Sequence, residues 1–112
     1  MEVNNKIFEW IGILKTKPKM IIGENIIDYR VLRIYVEGYI DGIGQAVNKK
    51  IGLAITHWFQ KKVNQKSSYY WTNHIPYYYK NKTDEELKII LLDTTEEYFR
   101  ENLDWLKETE SN

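Results

Sequence analysis

The two histidines, His57 and His74, are the side chains best suited to acid–base chemistry in this chain. A ribonuclease can use such a pair as general base and general acid, because imidazole titrates near neutral pH. The two lie on different predicted elements, and neither lies beside a serine or lysine arranged as a nucleophile. The pattern favours one partly buried and one surface histidine. We therefore predict no catalytic residue and a protein that is not an enzyme.

Metal and nucleotide chemistry have no motif in the sequence. Cysteine is absent, which excludes disulfides, thiolate metal sites and a cysteine nucleophile. The histidines do not have the spacing of metal ligands. The glycines at 38, 42 and 44 follow a helical pattern instead of a strand and lack the spacing of a phosphate-binding loop. We expect no metal site and no cofactor.

Carboxylates near the C-terminus form the most suggestive charged set, because their spacing places several on one helical face. That face is either an ordinary solvated surface or a surface complementary to a basic protein, with nearby aromatic side chains as anchors. Under the second interpretation, the predicted partner-binding residues are Asp93, Glu96, Glu97, Glu101, Asp104, Glu108, Tyr77 and Tyr78.

The net charge of zero conceals an uneven distribution along the chain. Residues 1–82 hold 13 Lys/Arg and 6 Asp/Glu, a balance of +7, whereas residues 83–112 hold 3 and 10, a balance of −7. The acidic segment can fold back on the basic body, or it can present a negative surface to a basic partner. The two interpretations do not exclude each other.

Nucleic-acid binding is an alternative function, using lysines around the tyrosine-rich stretch 69–79 with the rings as stacking platforms. An acidic C-terminal segment and a pI near 6.7 argue against it. The lysines concerned are Lys49, Lys50, Lys61, Lys62, Lys66, Lys80 and Lys82.

Helical periodicity dominates the chain and positions these groups. We predict one all-α domain over residues 1–112, with about five or six helices around a long central helix at about 27–47. Other helices are expected at 4–16 and 53–63, together with a short one that begins at Ser67 or Ser68 and that Pro76 kinks or ends. A capping box at Thr83 and Glu86 opens the C-terminal part, which is either one long helix broken near Thr94 and Thr95 or two short ones.

The stretch 17–25 predicts a corner between the first and the central helix. Pro18 ends a helix before it, Gly23 permits a positive φ, and Asn25 resembles an N-cap. We expect Met20, with the two isoleucines after it, to fill the gap between the helices. The glycines at 38, 42 and 44 suggest either a helix that crosses closely or a ligand that approaches the backbone.

The N-terminal residues bear on the cellular compartment of the protein. They have neither the basic start nor the apolar stretch of a signal peptide, and no run approaches the roughly 20 apolar residues of a membrane span. We expect a cytoplasmic protein that does not bind membranes.

Several short motifs resemble a family of small bacterial proteins that have a Pro-x-Met-Tyr-(Ile/Leu)-Gly corner followed by a Gly-Tyr helix. Here the corner is residues 17–23 and the helix includes Gly38 and Tyr39, with Ile21 where the family usually has tyrosine. Trp10, Trp71 and the acidic, aromatic C-terminal helix extend the likeness along most of the chain. The family belongs to the immunity proteins of polymorphic toxins, including contact-dependent growth inhibition systems.

This resemblance implies an all-helical, non-enzymatic protein that binds the toxic C-terminal domain of a cognate toxin, one-to-one, and blocks it. Many such toxins are nucleases with basic clefts, which an acidic face could occupy as a phosphate mimic. The residues expected to hold the fold instead of touching the toxin are Pro18, Met20, Gly23, Gly38 and Tyr39. This interpretation predicts no nucleic-acid partner, whereas the alternative is a small nucleic-acid-binding regulator.

Overall fold

Residues 2–108 of the computed structural model form seven α-helices and no strand, which confirms the all-α class. Side chains are described for residues 2–107. The helices pack into one globule with a radius of gyration of 13.7 Å. They are α1 Glu2–Thr16, α2 Pro18–Ile22, α3 Tyr29–Ala46, α4 Ile51–Val63, α5 Trp71–Tyr78, α6 Asp84–Glu101 and α7 Trp105–Glu108.

The predicted corner contains a short helix of its own, α2. Pro18 opens it, where its missing N–H costs nothing, and Gly23 ends it with a φ of 76°, donating its N–H to the carbonyl of Lys19. The prediction that Met20 fills the gap is wrong, because its side chain is 75% exposed. Ile21 and Ile22 are partly buried and do pack against the core.

Helix α3 is capped by Asp28 and not by Asn25, so that sequence prediction is wrong. The carboxylate of Asp28 accepts the N–H of Val31 at 2.9 Å. A second carboxylate, from Asp84 at the start of α6, accepts the N–H of Tyr29 at 3.0 Å. Two acidic side chains therefore satisfy two of the free N–H groups at this end, where the helix dipole favours negative charge.

Of the three glycines at 38, 42 and 44, only the last lies close to another part of the chain. A Cβ added at Gly38 or Gly42 would meet nothing within 4 Å, so the prediction of a close helix crossing is wrong for both. A Cβ at Gly44 would lie 2.6 Å from the carbonyl oxygen of Lys49. Close approach is therefore confined to the turn that joins α3 to α4.

Helix α5 differs from its prediction at its N-terminus, and Pro76 does not end it. It begins after Tyr70 without a serine cap, and Pro76 lies inside it. Proline lacks the N–H that would bond to the carbonyl four residues earlier, which belongs to Thr72. The hydroxyl of Tyr29 donates to that carbonyl at 2.6 Å, so α3 supplies the hydrogen bond that the proline removes.

Helix α6 is one unbroken helix of 18 residues, opened by the predicted capping box of Thr83 and Glu86. It is as long as α3, and it packs against α1, α3 and α5, so the central position is shared by two helices. Thr94 and Thr95 are buried within it instead of capping a second helix. The hydroxyl of Thr95 donates to the carbonyl of Leu91, within the same helix.

The two ends of the described chain are joined by Asn4. Its amide donates to the carbonyl of Leu103 at 2.9 Å and accepts the indole N–H of Trp105 at 2.8 Å. Trp105 is buried against Phe99. These contacts hold α7 against α1. No helix within residues 2–108 combines the length and apolar character that a membrane span requires.

Candidate protein-binding surface

The predicted acidic face exists on α6. Asp93, Glu96, Glu97 and Glu101 line one shallow, open depression together with Arg100. Their spacing along the helix brings them to one side, as adjacent turns require. The core side of α6 carries Leu91, Tyr98 and Phe99, which are buried. The acidic face is therefore held on a rigid and well-packed helix.

Lys15 of α1 neutralises part of this face. Its ammonium nitrogen lies 2.8 Å from Asp93 Oδ1 and 2.7 Å from Glu96 Oε1. Burial alone lowers the pKa of Lys15, but the hydrogen bonds and charges of the two carboxylates outweigh it and raise the pKa above the usual value. The lysine is thus charged at neutral pH and fixes both carboxylates.

Arg100 pairs with the other oxygen of Glu96, at 2.7 Å. Its guanidinium lies over the ring of Phe8, 4.5 Å from the centroid. Hydrogen bonds from Lys15 and from Arg100 lower the pKa of Glu96, because both stabilise the carboxylate form. Glu96 is therefore occupied on both oxygens by residues of this chain.

The second half of the face is held by α4. Lys62 lies 2.6 Å from Glu97, and the indole N–H of Trp58 donates to Glu101 Oε1 at 3.0 Å. The Lys62 ammonium also lies 5.7 Å from the Trp58 ring centroid. The acidic face thus includes an indole at its edge, as predicted for a protein interface.

These pairs show that the acidic segment folds back on the basic body. Only one oxygen of Asp93 and one of Glu101 makes a hydrogen bond or ion pair within the described residues, so each keeps an oxygen for an external donor. Asp104 is exposed in the turn between α6 and α7. The side chain of Glu108 lies outside the described residues.

Tyr77 and Tyr78 lie on α5, and no hydrogen bond, ion pair or ring contact joins them to the acidic face within the described residues. The Tyr77 ring lies 5.1 Å from that of Tyr69, and the Lys80 ammonium lies 5.0 Å from the Tyr77 ring centroid. Tyr78 packs edge-on against Tyr79. The predicted partner-binding residues thus divide into an acidic face on α6 and a tyrosine cluster on α5.

The histidines are separated by their environments. His57 is exposed on α4, whereas His74 is fully buried, with Nε2 2.7 Å from the side-chain oxygen of Gln65. Burial lowers the pKa of His74, because charging the imidazole there costs its hydration. Within the part of the chain that the structure describes, no three His, Asp or Glu side chains are grouped to hold a metal ion.

An apolar groove beside the acidic face was not predicted from the sequence. It encloses about 280 Å³ between α1, α2, the loop before α3, and α6. Asp93 and Lys15 line it, and Asp93 also lines the acidic depression, so the two features are continuous. Its apolar lining residues are Leu14, Pro18, Ile27, Leu32, Ile89 and Leu92.

One sequence signal could have indicated this groove. Ile89 is an isoleucine between Glu85 and Asp93 at helical spacing, and therefore lies off the buried stripe of α6. It is 59% exposed. A large apolar residue on the polar side of an amphipathic helix is the informative exception.

Comparison of the chain with models of protein families, with curated proteins and with solved structures gave no significant match.

Proposed function

We propose that this chain is an immunity protein that binds the toxic C-terminal domain of a cognate contact-dependent growth inhibition toxin, one-to-one, in the cytoplasm. The toxin domain is a nuclease, such as an RNase, and tight binding is the whole activity of the chain. The proposal follows from the family resemblance of the corner and the Gly-Tyr helix, and from the acidic face of α6.

Three of the motif residues, Pro18, Gly23 and Tyr39, occupy structural positions, whereas Met20 is exposed and a Cβ at Gly38 would meet nothing. Pro18 and Gly23 bound α2, and Tyr39 stacks on Trp10 with ring centroids 3.7 Å apart. The hydroxyl of Tyr35 accepts the indole N–H of Trp10 at 2.9 Å. These contacts join α3 to α1. Such residues preserve a scaffold while the exposed surface remains free to match a partner.

The observation that carries the proposal is the fixed acidic face. Lys15, Lys62 and the Trp58 indole hold its carboxylates in place, so little side-chain entropy remains to be lost on binding. The free oxygens of Asp93 and Glu101 can accept lysine or arginine donors from a basic nuclease cleft. Complementary charge of this kind speeds association and makes it sensitive to salt.

The test is co-expression of the chain with the C-terminal domain encoded immediately upstream of its gene, followed by titration calorimetry of the purified pair at two salt concentrations. We expect a one-to-one complex with a dissociation constant of about 1 nM or lower, weaker at the higher salt. We also expect loss of the domain's nuclease activity on binding. Absence of a complex would exclude the proposed function for that pair.

The tyrosine cluster favours a second candidate, a small nucleic-acid-binding regulator. Tyr69 and Tyr77 expose their rings side by side, and Lys80 lies over one of them. Exposed lysines at 61 and 66 have no ion-pair partner among the described residues. Aromatic faces beside lysines are suited to stacking on single-stranded bases. Fluorescence anisotropy with a labelled single-stranded RNA, compared with Tyr77→Ala, distinguishes this function from toxin binding.

A further inference from the structure

The outer edge of α6 carries an acidic, an apolar and a second acidic side chain in one row. Glu85, Ile89 and Asp93 are four residues apart, so they project from successive turns on the same side. The end members lie roughly 12 Å apart along the helix axis, because an α-helix rises about 1.5 Å per residue. All three line the groove between α6, α1 and α2.

The row is exposed to an unusual degree for a groove wall. Glu85 is 80% and Asp93 60% exposed at the side chain, and each uses only one oxygen in an ion pair. Their partners, Lys15 and Lys88, are more buried and belong to the groove itself. The outward carboxylate oxygens remain available for donors from outside.

Lys88 is held away from the outer edge. Its ammonium donates to the carbonyl of Ile27 at 2.6 Å and pairs with Glu85 at 2.9 Å. It thereby fixes the loop before α3 against α6 and keeps Ile27 in the groove floor. The cations near the groove are thus engaged inside it, whereas the anions face outward.

This arrangement of charge and apolar surface selects one kind of occupant. A basic partner gains by placing lysine or arginine on Glu85 and Asp93, and an apolar side chain between them covers Ile89 and enters the groove. Aromatic or aliphatic anchors in such pockets supply much of the energy of protein interfaces, while charged neighbours set orientation. An acidic partner would be repelled by Glu85 and Asp93, and a purely apolar partner would leave these two carboxylates without donors.

We propose that the Glu85–Ile89–Asp93 row is the anchor of the toxin interface and receives a basic helical segment with one apolar side chain between two lysines or arginines. A helical segment matches because its residues eight apart also lie roughly 12 Å apart. The inference rests on the proposed function. It moves the centre of the interface from the acidic depression towards the N-terminal half of α6.

The test compares Ile89→Arg and Glu85→Lys with matched controls, using the toxin domain encoded upstream as the probe. Ile34→Arg is the control for the isoleucine, because Ile34 is 50% exposed on α3 and does not line the groove. Glu9→Lys, on the exposed side of α1, is the control for the charge change. Circular dichroism and thermal unfolding check that each variant is folded. If Ile89→Arg does not fold, Ile89→Ala replaces it in the binding measurement.

We expect affinity to fall at least about tenfold in Ile89→Arg and about fivefold in Glu85→Lys, with changes below about twofold in both controls. If the wild type binds the toxin domain and all variants bind it with the same affinity, the proposed anchor is wrong and the proposed function stands. Absence of wild-type binding would overturn both. Equal losses in the variants and the controls would also overturn the anchor, because the effect would not be specific to the row.

Discussion

Lys15 and Glu96 form an ion pair of 2.7 Å between residues 81 positions apart in sequence. The pair joins the last turn of α1 to the middle of α6. Lysines of the basic body thus neutralise part of the acidic helix by direct contact.

Replacing Glu96 by glutamine should reduce stability and change its pH dependence. The pKa of Glu96 is lowered in the folded state, so the carboxylate stabilises the fold above its unfolded pKa and the contribution is lost as pH falls through the lower folded pKa. We expect a loss of roughly 0.5 kcal/mol at pH 7 for this partly exposed pair. Urea unfolding at pH 7, 4 and 3 measures it.

Glu9→Gln is the control, since Glu9 is exposed on α1. The wild type and this control should lose stability between pH 5 and 3 more steeply than Glu96→Gln does. Parallel pH curves for all three proteins would contradict the assigned role.

Asn4→Leu should be among the most destabilising substitutions of a polar residue. The asparagine is buried and makes two hydrogen bonds, so its loss leaves the Leu103 carbonyl and the Trp105 indole N–H without partners. Each such group costs about 1–3 kcal/mol. The neighbouring Asn5→Leu is the control because Asn5 is exposed. Chemical denaturation should separate the two variants by at least about 2 kcal/mol, and equal stabilities would refute the prediction.

Two glycine substitutions in α3 should have opposite effects. Gly38→Ala adds a methyl group where nothing lies within 4 Å, and should stabilise the protein by up to about 1 kcal/mol through helix propensity. Gly44→Ala places the methyl group 2.6 Å from the Lys49 carbonyl, so the turn must shift and stability should fall. Thermal unfolding of the pair measures both signs. A higher melting temperature in Gly44→Ala would show that the turn adjusts freely.

Local patterns predicted the elements that depend on neighbours in sequence. The capping box at Thr83 satisfies its own helix, and the stripe of Leu32, Val36 and Ile40 follows the helical period, so both could be identified without tertiary information. The N-cap of α3 is local too, because the Asp28 carboxylate accepts the N–H of Val31, although the sequence pattern favours Asn25 there. The second carboxylate at this helix end could not be identified from a local pattern. Asp84 reaches the Tyr29 N–H from 55 residues away, and such contacts are invisible to short patterns.

The candidate surface was predicted only in part for the same reason. Helical spacing grouped the carboxylates of α6, but their pairing with Lys62 and the indole of Trp58 depends on how α4 packs. The groove needs α1, α2 and α6 together. Only the exposed Ile89 signalled it from within one helix.

His74 should make stability depend on pH in a different window. Its pKa is lowered by burial, so the unfolded chain binds the proton more readily than the folded protein does. Stability should therefore fall as pH drops below about 6.5, with a slope of at most about 1.4 kcal/mol per pH unit. In His74→Gln this contribution to the pH dependence of stability should be absent. Urea unfolding of both proteins between pH 7.5 and 5 measures the difference. An unchanged slope would show that the pKa of His74 does not differ between the folded and unfolded states.

Removal of the Glu101 charge should slow association with the toxin domain. Glu101→Gln keeps an acceptor for the Trp58 indole and removes only the charge, whereas Glu101→Lys reverses it. We expect association rates to fall by about twofold and about tenfold respectively at low salt, since charge at an interface acts mainly on the encounter. The differences should shrink at high salt because screening weakens the attraction. Stopped-flow measurements at two salt concentrations test this, with Glu9→Lys, on the exposed side of α1, as the control. Equal rates for Glu101→Lys and the control would place the acidic face outside the encounter surface, and the groove on the N-terminal half of α6 would then account for binding alone.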